Sequence, residues 1–171
     1  MTGKDPEETP TEKARQKAFR LLQIRPHSER DLWRKLRERG FSSDALADVF
    51  AELKDYRYLD DAAYATQTAR HLAVDRLLGN RRIVFYLREK GLNADLIDEA
   101  VAEARRSFPE AEALRRHISK KIRNGPLAGL EDRAIQKMIR SLWGKGFSTG
   151  LILEILKRMK EEEEFNDSGR K

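Results

Sequence analysis

The side chains that could support catalysis or metal binding are few and scattered in this sequence. Its three histidines, His27, His71 and His117, lie far apart and lack partners at the spacing of a metal site. The chain has no cysteine, which excludes thiolate chemistry, and it contains no glycine-rich phosphate loop or nucleophile motif. The pair Asp60–Asp61 fits a helix start better than a metal site, since aspartate favours the first turn. We therefore expect no enzyme, no metal and no cofactor.

Charge is the chemistry that the sequence supplies in quantity. The 171 residues include 35 Lys and Arg against 29 Asp and Glu, for a formal net charge of +6. Residues 13–40 hold ten basic and three acidic side chains, and residues 76–123 hold twelve and seven, whereas residues 41–61 hold two and six. Such basic stretches suit a phosphate backbone or an acidic protein surface. Ordinary solvated helix faces are the alternative interpretation.

The candidate binding residues are basic side chains grouped on predicted helices and aromatic side chains that replace polar ones. The basic candidates form three sets: Arg30, Arg34 and Arg37; Arg81, Arg82 and Arg88; and Arg116, Lys120 and Arg123. Phe85 and Trp143 stand where the other copies of a repeated pattern carry arginine. We expect these two aromatic side chains to pack between structural units, with an anchor for a partner as the alternative.

The elements that position these residues follow from a pattern that occurs three times. Gly40, Gly91 and Gly146 lie 51 and 55 residues apart, and each follows a leucine by four positions and a basic residue by one. The leucine belongs to an apolar helix face, and the glycine suits a left-handed helix cap. A capping residue that can start a second helix follows each glycine by two positions: Ser42, Asn93 and Ser148. Each copy is therefore a helix, a glycine turn and a second helix.

Apolar residues at helical spacing leave room for one more helix before each of these hairpins, and no strand pattern is present. The predicted fold class is all-α, with three tandem three-helix repeats in an elongated, curved, solenoid-like molecule. The predicted boundaries are a disordered tail over residues 1–12, repeats over 13–56, 57–107 and 108–160, and an acidic tail over 161–171. No apolar run reaches membrane-spanning length, so we expect a cytoplasmic protein without membrane contact.

Three stretches of the sequence resemble the RecX family. Residues 25–41, which run from Arg25-Pro26-His27-Ser28 to Gly40-Phe41, resemble the opening motif of that family. The step Tyr58-Leu59-Asp60-Asp61 followed by Ala65 is also similar, as is the third stretch, which carries Arg76, Gly79, Arg82, Ile83, Leu87, Lys90 and Gly91. The resemblance covers about residues 13–160, with the third repeat matching more loosely.

This resemblance implies a regulator of the bacterial recombinase RecA, active in DNA repair, homologous recombination and the SOS response. Family members consist of three three-helix repeats that bind in the groove of RecA–single-stranded-DNA filaments. There they restrain ATP hydrolysis, strand exchange and LexA cleavage, and some members also bind DNA weakly. The implied partners are RecA and its filaments, and we expect the chain to act as a monomer.

Two other functions stay open at this point. The glycine turn between paired helices also resembles a helix-turn-helix DNA-binding motif, but the second helices are acidic, with Asp44 and Asp48 in one and Asp95 and Asp98 in another. Recognition helices usually carry Arg, Lys, Asn or Gln toward base edges. The other alternative is a generic α-helical scaffold for protein partners.

Overall fold

The computed structural model describes residues 8–122 and 126–168 of the chain. Within these residues it contains nine α-helices, one short 3-10 helix and no β-strand. Unit one contains α1 (Pro10–Ile24), α2 (Glu29–Arg37) and α3 (Ser43–Asp55); unit two contains α4 (Asp61–Val74), α5 (Asn80–Glu89) and α6 (Ala94–Ser107); unit three contains α7 (Glu110–Ile122), the 3-10 helix (Leu127–Gly129), α8 (Asp132–Gly144) and α9 (Thr149–Ser168). The predicted all-α fold of three tandem three-helix repeats is confirmed.

Each unit has its own hydrophobic core, built from the same positions of the repeat. The residues eight and four before each glycine and six after it are all buried: Leu32, Leu36 and Leu46; Ile83, Leu87 and Ile97; Met138, Leu142 and Ile152. They belong to three separate clusters of buried side chains, one in each unit. Burying one such side chain stabilises the fold by about 1.5–3 kcal/mol. Element pairs in extensive contact lie within one unit or, as with α4 and α7, in adjacent units.

The three glycine turns have the same conformation. Gly40, Gly91 and Gly146 have φ angles of +87°, +84° and +97°. This left-handed region is accessible to glycine and costly for residues with a Cβ. The residue after each glycine donates its amide to the carbonyl of the core leucine five positions earlier, with N···O distances of 3.3 to 3.4 Å. Each turn therefore ends one helix and sets the direction of the next.

The predicted capping residues start the helices that follow the turns. Ser42 accepts a hydrogen bond from the Ala45 amide, Asn93 from the Leu96 amide and Ser148 from the Leu151 amide, at 3.3, 2.9 and 3.2 Å. In the pair predicted as a helix start, Asp60 caps α4 by accepting from the Ala63 amide at 2.9 Å. These side chains satisfy amides that lack a partner inside the helix.

The predicted N-terminal tail overlaps α1 and is corrected. The sequence analysis placed residues 1–12 in a disordered tail, but α1 begins at Pro10. A capping box forms there, because the Thr9 hydroxyl accepts from the Glu12 amide at 3.2 Å and the Glu12 carboxylate accepts from the Thr9 amide at 2.7 Å. Residues 1–7 of the predicted tail lie outside the described residues.

The predicted C-terminal boundary also changes, because α9 continues to Ser168 instead of ending at 160. The Glu162 carboxylate accepts two hydrogen bonds from the Arg115 guanidinium, at 2.8 and 2.6 Å. The Glu163 carboxylate accepts from the Leu127 amide at 2.8 Å. The acidic run is thus held against α7 and the 3-10 helix, which the local sequence pattern does not reveal. Residues 169–171 lie outside the described residues.

Candidate binding surfaces at the unit junctions

The first junction, between units one and two, places the start of α2 against the glycine turn of unit two. The Ser28 hydroxyl, which precedes α2, donates to the carbonyl oxygen of Lys90 at 2.6 Å. The amide of Glu29, the first residue of α2, donates to Asp61 Oδ1 at 2.8 Å. Amides at a helix start have no partner inside the helix, and the Asp61 carboxylate satisfies this one. Asp61 is itself the first residue of α4, so the hydrogen bond joins the starts of α2 and α4. The junction therefore joins three helix ends from two units.

The second junction, between units two and three, repeats this arrangement. The amide of Gly79 donates to the carbonyl oxygen of Lys145 at 3.0 Å. The amide of Asn80, the first residue of α5, donates to Glu110 Oε1 at 2.7 Å, and Glu110 begins α7. Gly79 and Asn80 hold the same repeat positions as the two donors of the first junction, so both junctions use one backbone plan. Arg105 from α6 reinforces the second junction by donating to Asn80 Oδ1 at 2.7 Å.

The glycine turns of units two and three are each packed against the unit before them in the chain. A Cβ on Gly91 would lie 2.0 Å from Cδ of Arg30, and a Cβ on Gly146 would lie 2.4 Å from the backbone nitrogen of Arg82. A Cβ on Gly40, in the turn of unit one, would meet nothing within 4 Å among the described residues. Gly91 and Gly146 are therefore required both for their φ angle and for the close approach of a neighbouring helix.

A buried carboxylate, Asp31, lies at the first junction among basic side chains of both units. Asp31 is 4% exposed. Four cationic nitrogens surround its two oxygens: Arg34 Nη2 at 2.9 Å, Arg25 Nη2 at 3.3 Å, Lys90 Nζ at 3.5 Å and Lys35 Nζ at 3.8 Å. The buried ring of His27 donates from Nδ1 to Asp31 Oδ2 at 2.9 Å. We call Arg25, His27, Asp31, Arg34, Lys35 and Lys90 the Asp31 cluster.

The pKa shifts in the Asp31 cluster reflect burial and the concentration of charge. Burial acts to raise the pKa of Asp31, but hydrogen bonds from His27 and Arg34 and the charges of Lys90 and Lys35 outweigh it and hold that pKa well below its ordinary value. Burial lowers the pKa of His27 despite the bond to Asp31. Burial also lowers the pKa of Lys35, and the charges of Arg25 and Lys90 add to this lowering.

The second junction carries exposed aromatic side chains beneath arginines. Phe85 and Trp143 are 50% and 52% exposed. The Arg81 guanidinium lies 5.0 Å from the centre of the Trp143 ring, and the Arg82 guanidinium lies 5.5 Å from that of Phe85. Arg88 is exposed on α5, one turn beyond Phe85. Trp143 contacts Arg81 of unit two, in keeping with the expected packing between units, but half of its side chain stays exposed. We call Arg81, Arg82, Phe85, Arg88 and Trp143 the cation–aromatic surface.

The predicted stripe of Arg30, Arg34 and Arg37 on α2 separates into three different roles. The aliphatic part of Arg30 covers Gly91 at the first junction. Arg34 is bound to Asp31 and, at 2.6 Å, to Glu38. Arg37 donates to the carbonyl oxygen of Phe41 at 2.6 Å and so supports the glycine turn. The structure therefore draws only Arg34 of this stripe into a charged cluster.

The predicted stripe of Arg116, Lys120 and Arg123 on the third unit is only partly described. Arg116 donates to Glu112 at 2.8 Å, and its guanidinium lies 4.9 Å from the centre of the Phe108 ring. Lys120 is exposed on α7. Arg123 lies outside the described residues, so a shared surface of these three residues stays a prediction.

Sequence reasoning missed Asp31, Lys35 and Lys90 as members of one site. The backbone of Asp31 belongs to the cap of α2, because Ser28 accepts a hydrogen bond from the Asp31 amide at 3.2 Å. The Asp31 carboxylate instead turns into the junction, toward Lys90 of the next unit. The position equivalent to Asp31 is also charged in the other two repeats, where Arg82 and Lys137 occupy it, so no local pattern marks it as buried.

The described residues offer few features of a small-molecule or metal site. In the described part of the chain, no group of three or more His, Cys, Asp or Glu side chains could hold a metal ion. A groove of about 230 Å³ at the first junction is lined by Glu29, Arg30, Trp33, Asp61 and Gly91. An apolar groove of about 320 Å³ lies between α8, α9 and the 3-10 helix. None of the described helices is long and apolar enough to cross a membrane.

Comparison with known proteins places this arrangement in a family. The family model of the first three-helix domain of RecX matches residues 14–53, and that of the second three-helix domain matches residues 60–101. The regulatory protein RecX of Streptomyces coelicolor is 31% identical over 93% of this chain and 84% of its own length. That of Chlorobaculum tepidum is 32% identical over 85% of this chain and 88% of its own length.

Two solved structures are similar to this fold. A crystal structure of a regulatory protein RecX matches with a TM-score of 0.68 and 27% identity, over 85% of this chain and 71% of the other. The crystal structure of RecX from Lactobacillus salivarius matches with a TM-score of 0.74 over 88% of this chain and 96% of the other, and at 20% identity it supports the fold alone. The chain matches two domain models of one family, shares the fold of its solved structures, and is more than 30% identical to two of its members over most of both chains. It therefore belongs to the RecX family.

Proposed function

We propose that this protein is a non-enzymatic inhibitor of the RecA recombinase that acts in the cytoplasm. It binds in the groove of RecA–single-stranded-DNA filaments and restrains ATP hydrolysis, strand exchange and LexA cleavage. Membership in a family whose relatives are named regulatory proteins supports a regulatory role. The cation–aromatic surface at the second junction is the observation that supports a binding role most directly.

The composition of the cation–aromatic surface suits a protein partner. Tryptophan and arginine are enriched among the residues that dominate binding energy at protein interfaces. Trp143 and Phe85 each keep about half of their surface exposed, so apolar area is available for burial. The guanidiniums of Arg81 and Arg82 lie over these rings, so the surface offers positive charge and apolar area together. This surface is therefore where we place the contact with RecA.

The array of units suits a filament, because a filament repeats the same contact along its length. Linked units that bind successive subunits gain affinity through effective concentration. We expect a single chain to bind as a monomer, with its linked units on successive subunits of the filament.

The helix-turn-helix alternative has less support. In α3, which follows the first glycine turn, Asp44 and Asp48 are exposed. In α6, Asp95 and Asp98 are exposed at the corresponding end. Carboxylates on these helices would repel the phosphates that border a DNA groove. Tight sequence-specific binding to duplex DNA would favour this alternative, and binding to neither DNA nor filaments would favour a generic scaffold.

The direct test is the rate of ATP hydrolysis by RecA on single-stranded DNA at increasing concentrations of this protein. We expect the rate to fall at or below one chain per RecA subunit, and LexA cleavage to slow in parallel. Filament binding is measured in the same samples by co-sedimentation. An unchanged rate at saturating, demonstrated binding would remove the regulatory proposal and leave only a binding protein.

A further inference from the structure

The turn between α3 and α4 displays two tyrosines and an arginine. It runs over residues 56–60 and is longer than the corresponding turn between α6 and α7. Tyr56 and Tyr58 are 69% and 56% exposed, and Arg57 between them is exposed as well. In the shorter turn the aromatic residue, Phe108, is buried. The longer turn therefore adds exposed aromatic area, which the shorter turn does not have.

Arg57 has a backbone conformation that is costly for arginine. Its φ angle is +57°, in the left-handed region that the three turn glycines occupy. This conformation ends α3, because the Tyr58 amide donates to the Leu53 carbonyl oxygen at 2.8 Å and the Arg57 amide donates to that of Lys54 at 2.9 Å. Glycine suits such a helix end better, since a Cβ is crowded in this region. The geometry of the turn therefore does not explain why arginine stands here.

A second residue shows how such a cost can be offset within the fold. Leu77 is the other non-glycine residue with a positive φ angle in the described part of the chain, at +51°. Its side chain is 7% exposed and belongs to the core of unit three. The exposed side chain of Arg57, in contrast, makes no hydrogen bond or ion pair with any described residue. Backbone strain that the fold does not offset is typical of sites that bind a ligand.

The turn is held in one conformation without a partner. The ring of Tyr58 packs edge-on against Phe19 of α1, with ring centres 5.1 Å apart, and Phe19 packs against the core of unit one. The Leu59 amide adds a hydrogen bond to the Leu53 carbonyl oxygen at 3.1 Å. Tyrosine and arginine dominate the binding energy of many protein interfaces, and a fixed conformation lowers the entropy lost on binding. The turn therefore suits a protein contact.

The charges around the turn favour a protein partner over a nucleic acid. Asp55 and Asp60 flank the exposed residues and are themselves exposed. Residues 41–61 hold six acidic side chains and two basic ones. A nucleic acid brings a row of phosphates, which this surface repels. A protein surface can place one carboxylate on the guanidinium of Arg57 and basic side chains near the aspartates.

We propose that Tyr56, Arg57 and Tyr58 form a second protein-binding site, on unit one, that contacts a RecA subunit of the filament. The surface that fits this site combines a carboxylate for Arg57, apolar area for the two rings and basic side chains for Asp55 and Asp60. The inference rests on the proposed function and extends it, since the cation–aromatic surface lies at the other junction. Contacts from separate units let one chain bind two subunits at once.

The test measures co-sedimentation of the protein with RecA filaments assembled on oligothymidine with a slowly hydrolysed ATP analogue. The double variant Tyr56→Ala/Arg57→Gly should bind about tenfold more weakly than the unmodified protein, as expected for loss of two interface anchors. The matched control Arg133→Gln/Phe165→Ala removes an exposed arginine and an exposed aromatic ring from unit three. The control should change affinity by less than about twofold.

Arg57→Gly alone separates binding from a purely structural role, because it should move stability and affinity in opposite directions. The urea midpoint of unfolding should rise, since glycine removes the left-handed strain, while filament affinity should fall about three- to fivefold. Arg57→Gln keeps the Cβ and removes the charge, so it should lose the same affinity with an unchanged midpoint. Filament affinity that stays unchanged in both variants would overturn the proposal, whatever the midpoints do.

Binding to DNA and the proposed function itself are tested separately. A fluorescein-labelled thirty-nucleotide oligothymidine, measured by fluorescence anisotropy without RecA, should bind the double variant Tyr56→Ala/Arg57→Gly and the unmodified protein equally. An equal loss of affinity for this free oligonucleotide and for filaments would mean that the turn contacts DNA, and would overturn the proposal.

Filament binding also separates this site from the proposed function. An equal loss of filament affinity in the control pair, or full affinity in the double variant, would overturn this site and leave the proposed function in place. Failure of the unmodified protein to bind filaments would overturn both.

Discussion

The two unit junctions share one pattern of backbone hydrogen bonds but differ in the side chains around it. At the first, Asp31 gathers basic residues from two units around a buried carboxylate. At the second, the equivalent residue is Arg82, which stacks on the exposed ring of Phe85. The backbone plan therefore fixes how units join, while the side chains at the same positions differ in charge and exposure.

The junctions also differ in how closely the units approach. At the first, the Ser28 side chain reaches the Lys90 carbonyl oxygen, whereas at the second the backbone amide of Gly79 itself donates to Lys145. A Cβ on Gly79 would lie 2.4 Å from the backbone of Gly146. The second junction is thus a backbone-to-backbone contact that only glycine permits, and the first leaves room for a side chain.

Alanine at the turn glycines should test this difference with the largest effect. Gly146→Ala should destabilise most, by about 3–5 kcal/mol, since left-handed strain adds to a collision with the Arg82 backbone. Gly91→Ala should follow, because its collision is with the flexible side chain of Arg30. Gly40→Ala should lose only the conformational part, about 1–2 kcal/mol.

Urea unfolding of the three variants gives these free energies directly. The order Gly146, Gly91, Gly40 is the essential result. Equal losses at all three positions would mean that the φ angle alone explains the glycines, and that the units are not packed as closely as the structure has them.

Removing the carboxylate of the first junction should have the next largest effect. Asp31→Ala leaves the cations of its cluster without their shared partner and should cost about 3 kcal/mol in the free energy of unfolding. Arg82→Ala at the equivalent position should cost less than about 1 kcal/mol, since it removes one exposed stacking contact. Chemical unfolding of both variants compares them; a larger loss for Arg82→Ala would reverse our description of the two junctions.

Low pH should weaken both junctions, because each contains a histidine whose pKa is lowered. Burial lowers the pKa of His27 at the first junction and of His117, which bonds to the Leu77 carbonyl oxygen, at the second. The unfolded chain then binds more protons than the folded chain as pH falls through the ordinary histidine range of about 6.5, so stability is full above that range and declines below it.

Unfolding free energies measured between pH 7.5 and about 5.5 test this, in a window chosen from the ordinary histidine range. His27→Leu introduces the residue type that Leu78 supplies at the equivalent position of unit two. His27→Leu should reduce the loss of unfolding free energy at low pH, and adding His117→Leu should remove much of the loss that remains. A stability that stays constant across this window in the unmodified protein would contradict the description of both histidines.

The smallest effect on stability should come from the second junction's exposed aromatic residues. Trp143→Ala should cost less than about 1 kcal/mol, because about half of the side chain already contacts water. Trp33 is packed edge-on against Phe50 with ring centres 5.0 Å apart and is partly buried in the first core. In single-tryptophan variants, acrylamide should quench Trp143 more strongly than Trp33, and comparable quenching would contradict this ordering.

The fold was predictable because it depends on local and repeated signals. Apolar periodicity, the glycine caps and the residues Ser42, Asn93 and Ser148 act within a few positions of the chain, and comparison of three copies reinforces them. The ends of the array were less predictable. The extension of α9 depends on Glu162 meeting Arg115, 47 residues away, and no periodic pattern encodes such a contact.

The candidate sites were only half predictable for a similar reason. Phe85 and Trp143 could be singled out because they break the repeat, and the structure leaves both half exposed. The Asp31 cluster could not, since Lys90 lies 59 positions from Asp31 and reaches it only through the junction. Charged residues are common on helices, so their type alone does not indicate which of them converge.

The central claim, that the cation–aromatic surface holds this protein on RecA filaments, is tested most directly by RecA ATP hydrolysis on single-stranded DNA with the double variant Phe85→Ala/Trp143→Ala. We predict that half-inhibition requires at least about tenfold more of the variant than of the unmodified protein, as expected for loss of two aromatic anchors. Its affinity for the free oligonucleotide should be unchanged. Full inhibition by the variant at the concentration that suffices for the unmodified protein would contradict the account.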